Sequence, residues 1–333
     1  MSDEKIKFGY ETAIAAGLAS PDALSDARAI IGNWQAAEYL IAHDFHHQHF
    51  RRSYRALQVS ALKPSSVILR ENISANLSFH PVPGAFFGQI MQSILQASWQ
   101  ETLSDKLLSP PKKQKVEEIR ASDKPHSLVF ARTAYNTGAA SLFYAMKAQR
   151  LSLALHHSNA PVIEARFLGI KTDQLEDEGE LAALMDSLDR VQNVPPLPQI
   201  SALHIKVNES ALLLPQSCMV QFLKPDLRAV YVLSRRAPSQ LIDGKLAISG
   251  KLSFLVTDAV LAKLPAVGQP VSIRLVLSYD ASHQIGMEIT KARVSDMRLA
   301  PQPAEALMLA ELDFEIDASD SNIPPLRLSQ TYS

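Results

Sequence analysis

The stretch "SPDALSDARAIIGNWQAAEYLIAHDFHHQHFRRSYRAL", Ser20 to Leu57, decides how the first half of the chain is interpreted. Ser20 followed by Pro21 is a helix start signal, because serine caps free N–H groups and proline suits the first helical turn. Apolar residues then recur at helical spacing, at Ile30, Trp34, Ile41 and Phe45. The stretch therefore predicts a long helix that contains the histidine-rich segment "HDFHHQHFRR" and that either packs between two surfaces or breaks near the histidines.

Three further helices and several strands are predicted before residue 195, and one of these helices spans residues 172–192 with an acidic first turn. Residues 85–108 predict a helix with core-facing Phe87, Ile90, Ile94 and Leu95, and residues 136–151 predict a helix or a helix start. Residues 65–80 alternate like a strand, and "LSLALHH" with "PVIEARFLGIK" predicts a hairpin. The first half therefore reads as a mixture of helices and strands.

The pattern after residue 200 changes to regularly spaced runs typical of β-strands. We therefore predict an α+β protein, with a mixed N-terminal half followed by a β-rich, barrel- or sandwich-like C-terminal domain. The predicted domains span residues 1–195, with an exposed loop at 109–126, and 198–318. Residues 319–333 read as a loose tail.

Composition excludes several function classes. The chain has 333 residues, of which only 12 are glycine, and it contains no G-x-G-x-x-G, P-loop or G-x-S-x-G motif. Its net charge of -1 argues against nucleic-acid binding through bulk charge. Cys218 is the single cysteine, so no internal disulfide or cysteine-based zinc site is expected. No catalytic signature favours an enzyme.

The start of the chain is acidic and polar, without the basic and then apolar pattern of a secretory signal. No run of apolar residues reaches the roughly 18 that a membrane-spanning helix needs. A cytoplasmic protein without membrane contact is therefore expected.

The histidine-rich segment suggests a metal site. On a helix, His43 and His47 would converge on one ion, with Asp44 beside them. The adjacent His43–Asp44 pair resembles the metal dyad of HD-type phosphohydrolases, which implies a metal-dependent hydrolase with a divalent cofactor. That family also uses an upstream histidine, and no histidine precedes His43.

The end of the same segment suggests anion binding. Arg51, Arg52 and Arg55 are interleaved with Tyr54, and guanidinium groups and aromatic rings together contact phosphates and bases. The function expected first is therefore a non-enzymatic binding or assembly protein, without a cofactor. It would contact a partner protein or nucleic acid through this basic and aromatic helix, and the metal-dependent hydrolase is the alternative.

A second arginine pair, Arg235 and Arg236, precedes a Ser-Gly step and a predicted strand. This order resembles PilZ-type cyclic-dinucleotide barrels. The family's second arginine would stand at Ser239 or Gln240, so its dinucleotide-binding motif is not complete here.

Overall fold

A computed structural model describes the chain in segments. The described residues are 12–19, 30–37, 39–53, 66–102, 116–120, 126–134, 139–156, 158–175, 179, 182, 184, 197, 201–207, 210–211, 215–233, 235–256, 264–280, 283–301, 308–316 and 326–331.

The elements that precede residue 200 are ten strands and one helix in the described segments. They are β1 (Thr12–Ala19), β2 (Ile30–Ala36), β3 (Leu40–Ser53), β4 (Ser66–Phe79), α1 (Ala85–Leu95), β5 (Gln100–Thr102), β6 (Val116–Arg120), β7 (Leu128–Ala134), β8 (Ala139–His156), β9 (Asn159–Gly169) and β10 (Lys171–Leu175).

The second half adds ten described strands. They are β11 (Ala202–Val207), β12 (Ser210–Ala211), β13 (Pro215–Leu223), β14 (Arg228–Val230), β15 (Gln240–Ile242), β16 (Ala247–Val256), β17 (Pro270–Ser278), β18 (Gln284–Pro301), β19 (Met308–Ile316) and β20 (Leu326–Thr331).

The predicted α+β class is wrong, because the described chain is nearly all β and is built around a large antiparallel sheet. Ile30–Ala36 and Leu40–Ser53, expected to be helical, are strands β2 and β3. The misleading signal was the spacing of four residues, which places side chains on one face of a strand as well as of a helix. The prediction of strands after residue 200 is confirmed.

Strand β8 replaces the third predicted helix, and its burial explains the error. Leu142, Phe143, Tyr144 and Met146 are all buried, so no alternation marks the strand. Phe143 and Met146 face the main core, whereas Leu142 and Tyr144 face a second, smaller core. A strand covered on both faces reads as a continuous apolar run.

The main sheet passes through both halves of the chain. Its order is β3-β4-β9-β8-β13-β16-β19-β18-β17-β11-β12, with every pair antiparallel. Strands β8 and β13, from either side of the predicted boundary near residue 195, pair from His156–Ser217 to Arg150–Leu223. The predicted boundary therefore does not divide the sheet.

Two predicted irregular segments contain strands. Strand β6 lies within the predicted loop at 109–126, and β20 lies within the predicted tail at 319–333. The two pair with each other, and Leu326 and Leu328 of β20 are fully buried in the main core. This pairing joins the end of the described chain to its first half.

Helix α1 supports the main core, and its prediction is confirmed. Phe87, Ile90, Ile94 and Leu95 are buried as expected. The helix ends earlier than predicted, because Gln96 adopts a left-handed conformation with φ of 52°. No described helix is long and apolar enough to cross a membrane.

Candidate functional site

The predicted metal ligands lie on strand β3, which separates them. Four residues of strand span about 13 Å, so His43 and His47 cannot converge on one ion. Asp44 points to the opposite face, where it forms an ion pair with His46. The strand does not bring the three residues to a common point.

The pKa of His43 is lowered. Partial burial of the ring is the main cause, and the positive charge of Arg132 adds to it.

The predicted anion-binding residues are only partly covered by the structure. Arg51 and Arg52 lie near the end of β3, opposite Ile68 and Val67 of β4. Tyr54 and Arg55 lie outside the described residues. The basic and aromatic helix expected here is wrong, since its first two arginines belong to a strand.

The structure instead places a polar groove across the outer face of β3, β4, β9 and β8. One row of cross-strand neighbours runs from Asp44 to Asn76, Arg166 and Arg150. Cross-strand neighbours share a face, and all four side chains are exposed. The sequence did not reveal this row, because its members come from four segments whose register only the folded sheet defines.

A second row borders the first. It runs from Ala42 of β3 through Ser78 and Glu164 to Ser152 of β8. The groove between and around these rows has a volume of about 430 Å³. Its walls are formed by Ala42, His43, Asp44, Asn76, Leu77, Ser78, Arg150, Glu164, Ala165 and Arg166.

Arg150 and Arg166 are the chemically distinctive pair in this groove. They lie directly opposite each other on β8 and β9, a position in which like charges repel. Neither guanidinium forms an ion pair or hydrogen bond within the part of the chain that the structure describes. Their ten N–H donors, five on each side chain, are therefore available to an anionic ligand.

A histidine cluster occupies the other face of β3, beyond the end of the core. His47 Nε2 lies 3.1 Å from Glu71 Oε2, and His49 Nδ1 lies 3.6 Å from Glu71 Oε1. Glu71 stands directly opposite His49 on β4. The three side chains are partly exposed, so solvent and ions reach them.

This cluster was missed because the stretch was interpreted as a helix. On a strand, residues two apart share a face, so the signal was the spacing of His47 and His49. Glu71 could be added only with the register of β3 on β4.

Lys224 is the charged side chain that the core encloses most fully among the described residues, with 1% exposure. Burial lowers its pKa to about 8, against the opposing effect of Asp243. Its Nζ donates a hydrogen bond to the carbonyl of Ser93, 3.2 Å away in the last turn of α1. A cation at the C-terminus of a helix is stabilising, so this lysine supports α1.

Cys218 is not placed to act as a nucleophile. It is buried on β13, and burial raises the pKa of its thiol to about 12. A thiol held in that state is a poor nucleophile.

Comparison with models of known protein families and with curated proteins finds no match for this chain.

Proposed function

We propose that this chain is a non-enzymatic binding protein that holds an acidic segment of a partner protein in the groove on β3, β4, β9 and β8. The observation that carries the proposal is the unpaired, directly opposed pair of Arg150 and Arg166. A carboxylate between the two guanidinium groups would remove their repulsion and form charge-assisted hydrogen bonds.

The charges around the pair favour a protein over a nucleic acid. Glu164 lies in the adjacent row, and Asp44 lies at the end of the same row. These carboxylates would repel a backbone with a negative charge at every nucleotide. A protein segment can instead place a carboxylate at the arginines and amide or cationic donors at Glu164.

The position of the groove also suits a protein segment. Strand β3 is the last strand at this end of the sheet within the described residues, so the groove opens at an edge of the sheet. Asn76 and Ser78 add side-chain hydrogen-bonding groups along its floor. An extended peptide laid across the four strands would therefore meet donors and acceptors along its length.

A metal-dependent hydrolase centred on His43, Asp44 and His47 is disfavoured, because β3 does not bring these three residues together. The cytoplasmic location stays a prediction from the sequence.

The test uses the full chain and two fluorescent probes of equal length, a glutamine peptide that contains two adjacent glutamates and one lysine, and a single-stranded oligothymidylate. We expect the peptide to bind with an affinity that falls as salt rises, because its contacts are ionic. Arg150→Ala/Arg166→Ala should weaken that binding about tenfold or more. Arg228→Ala/Arg235→Ala is the matched control, since it removes the same charge from exposed positions outside the groove.

Three results would overturn the proposal. Peptide binding could be absent, or it could survive the groove variant unchanged. Binding of the oligothymidylate alone, lost in the groove variant, would assign the groove to nucleic acid instead.

A further inference from the structure

We propose that His47, His49 and Glu71 form a binding site for one divalent transition-metal ion, with zinc as the reference ion. The site lies on the opposite face of β3 from the acidic-peptide groove and does not depend on it. Its basis is the approach of two imidazole nitrogens and a carboxylate, whose candidate ligand atoms all lie within 4.8 Å of one another.

The distances suit tetrahedral coordination. Two donors on a tetrahedral zinc ion lie roughly 3.3 Å apart, given bonds of about 2.0 Å. The contacts of Glu71 with His47 and His49 are 3.1 and 3.6 Å, close to that value on either side. The two histidines approach different oxygens of the same carboxylate, so Glu71 lies between the two imidazole rings as a shared ligand would.

The strand geometry explains why these side chains meet. His47 and His49 are two residues apart on β3, and their ring centroids lie 4.4 Å apart. Glu71 is the direct cross-strand neighbour of His49 and the diagonal neighbour of His47. Such neighbours lie within reach of long side chains in an antiparallel pair.

Surrounding residues hold Glu71 in place before any ion binds. The Glu71 N–H donates to the carbonyl of Arg236 at 2.9 Å, and the hydroxyl of Tyr231 donates to the carbonyl of Glu71 at 2.9 Å. The guanidinium of Arg70 lies over the Tyr231 ring, 5.7 Å from its centroid. The loop between β14 and β15 therefore fixes the backbone of this ligand.

A further contact orients His47. Its Nδ1 lies 3.4 Å from the hydroxyl oxygen of Thr172, while Nε2 faces Glu71. If Nε2 binds the ion, Nδ1 carries the proton and donates to Thr172. Metal-bound histidines use their second nitrogen in this way, which sets the tautomer and the ring orientation.

The ligand set selects the class of metal. Two imidazoles and one carboxylate suit zinc and its transition-metal neighbours, whereas calcium and magnesium prefer all-oxygen sites. Three protein ligands leave one position for water, and the partly exposed side chains give solvent access to it.

The test is to dialyse the full chain against a chelator and then titrate it with zinc, with isothermal titration calorimetry as the measurement of affinity and stoichiometry. We expect one zinc ion per chain, and Co²⁺ in its place should give the visible absorption of a tetrahedral complex. His47→Ala, His49→Ala and Glu71→Gln should each weaken zinc binding by about tenfold or more. His46→Ala is the matched control, since His46 immediately precedes His47 on β3 but faces the other side.

Tyr231→Phe tests whether the hydrogen bond that holds the Glu71 backbone contributes to zinc binding. It leaves all three ligands intact and removes the hydrogen bond to the Glu71 carbonyl, so zinc affinity should fall while stoichiometry stays at one. Thermal unfolding of each variant without metal verifies that it folds. Zinc binding that is absent in the native chain, or equal in the native chain and the three ligand variants, would overturn the proposal.

Discussion

Arg150 of β8 and Arg166 of β9 lie directly opposite each other on an exposed face of the sheet. Two neighbouring guanidinium groups repel each other, and this repulsion is present in the free protein. An anion bound between them would relieve it. The same contact can therefore weaken the free sheet slightly and strengthen binding of an acidic partner.

Arg166→Gln tests that relationship without any ligand. We expect the free energy of unfolding to rise by a few tenths of a kcal/mol at low salt, because one of two like charges is removed. The gain should shrink as salt rises, since the charges are exposed and screened. Urea unfolding at two ionic strengths measures it, with Arg228→Gln as a control for loss of an exposed arginine. A variant less stable than the native chain at low salt would show that the arginines do not repel each other there.

Lys224 predicts a specific dependence of stability on pH. Burial lowers its pKa in the folded chain from 10.5 to about 8. Between these values the unfolded chain binds more protons than the folded chain, so the free energy of unfolding rises with pH. The rise attributable to Lys224 is on the order of 3 kcal/mol across that interval. Below pH 8 both states are protonated and the contribution is constant.

Lys224→Met should remove this rise, and urea unfolding from pH 7 to pH 10 measures it. The variant also leaves the Ser93 carbonyl without its hydrogen bond, which costs about 1–3 kcal/mol and offsets the gain from removing a buried charge. The slope against pH is therefore the decisive quantity. Lys245→Met, at an exposed position, should keep the native slope. An unchanged slope in Lys224→Met would contradict the assigned pKa.

The elements that could be predicted from the sequence are those that bury only one face. Ile73, Ala75, Leu77 and Phe79 alternate along β4, and all four are buried as their spacing indicates. Helix α1 was also identified correctly, because its apolar residues recur at intervals of three and four that a strand would place on both faces.

The parts that were not predictable lack that one-sided pattern. Strand β8 is apolar on both faces where it separates two cores, so its period is hidden. On β3, Phe45 is buried, whereas His47 and His49 on the same face extend beyond the core. Polar residues on the inner face obscured the alternation of the strand.

The residues that form the two candidate sites could not be grouped from the sequence, for a different reason. The arginine pair joins β8 to β9 across a tight turn, and the histidine cluster joins β3 to β4. Each depends on a register, and a shift by one residue would turn the side chains to the other face. Composition and spacing do not specify register across segments such as 54–65, which separates the two strands of the histidine cluster.

Gly250 provides a test of packing at the centre of the main sheet. It lies on β16 between Val220 of β13 and Phe314 of β19, and the Phe314 ring covers it. A Cβ atom there would lie 2.4 Å from the Met219 carbonyl oxygen and 2.4 Å from the Phe314 ring, far inside contact distance. The backbone oxygen cannot move without disturbing the pairing of β13 with β16.

Gly250→Ala should therefore lower the free energy of unfolding by about 1–3 kcal/mol or more, as overpacked cores do. Gly84→Ala is the matched control, because nothing lies within 4 Å of a Cβ atom at that position. Thermal and urea unfolding of both variants measure the difference. Adding Phe314→Leu to Gly250→Ala should recover part of the loss, since the smaller side chain leaves room for the new methyl group. Equal stability of Gly250→Ala and Gly84→Ala would contradict the pairing of Gly250 with Phe314.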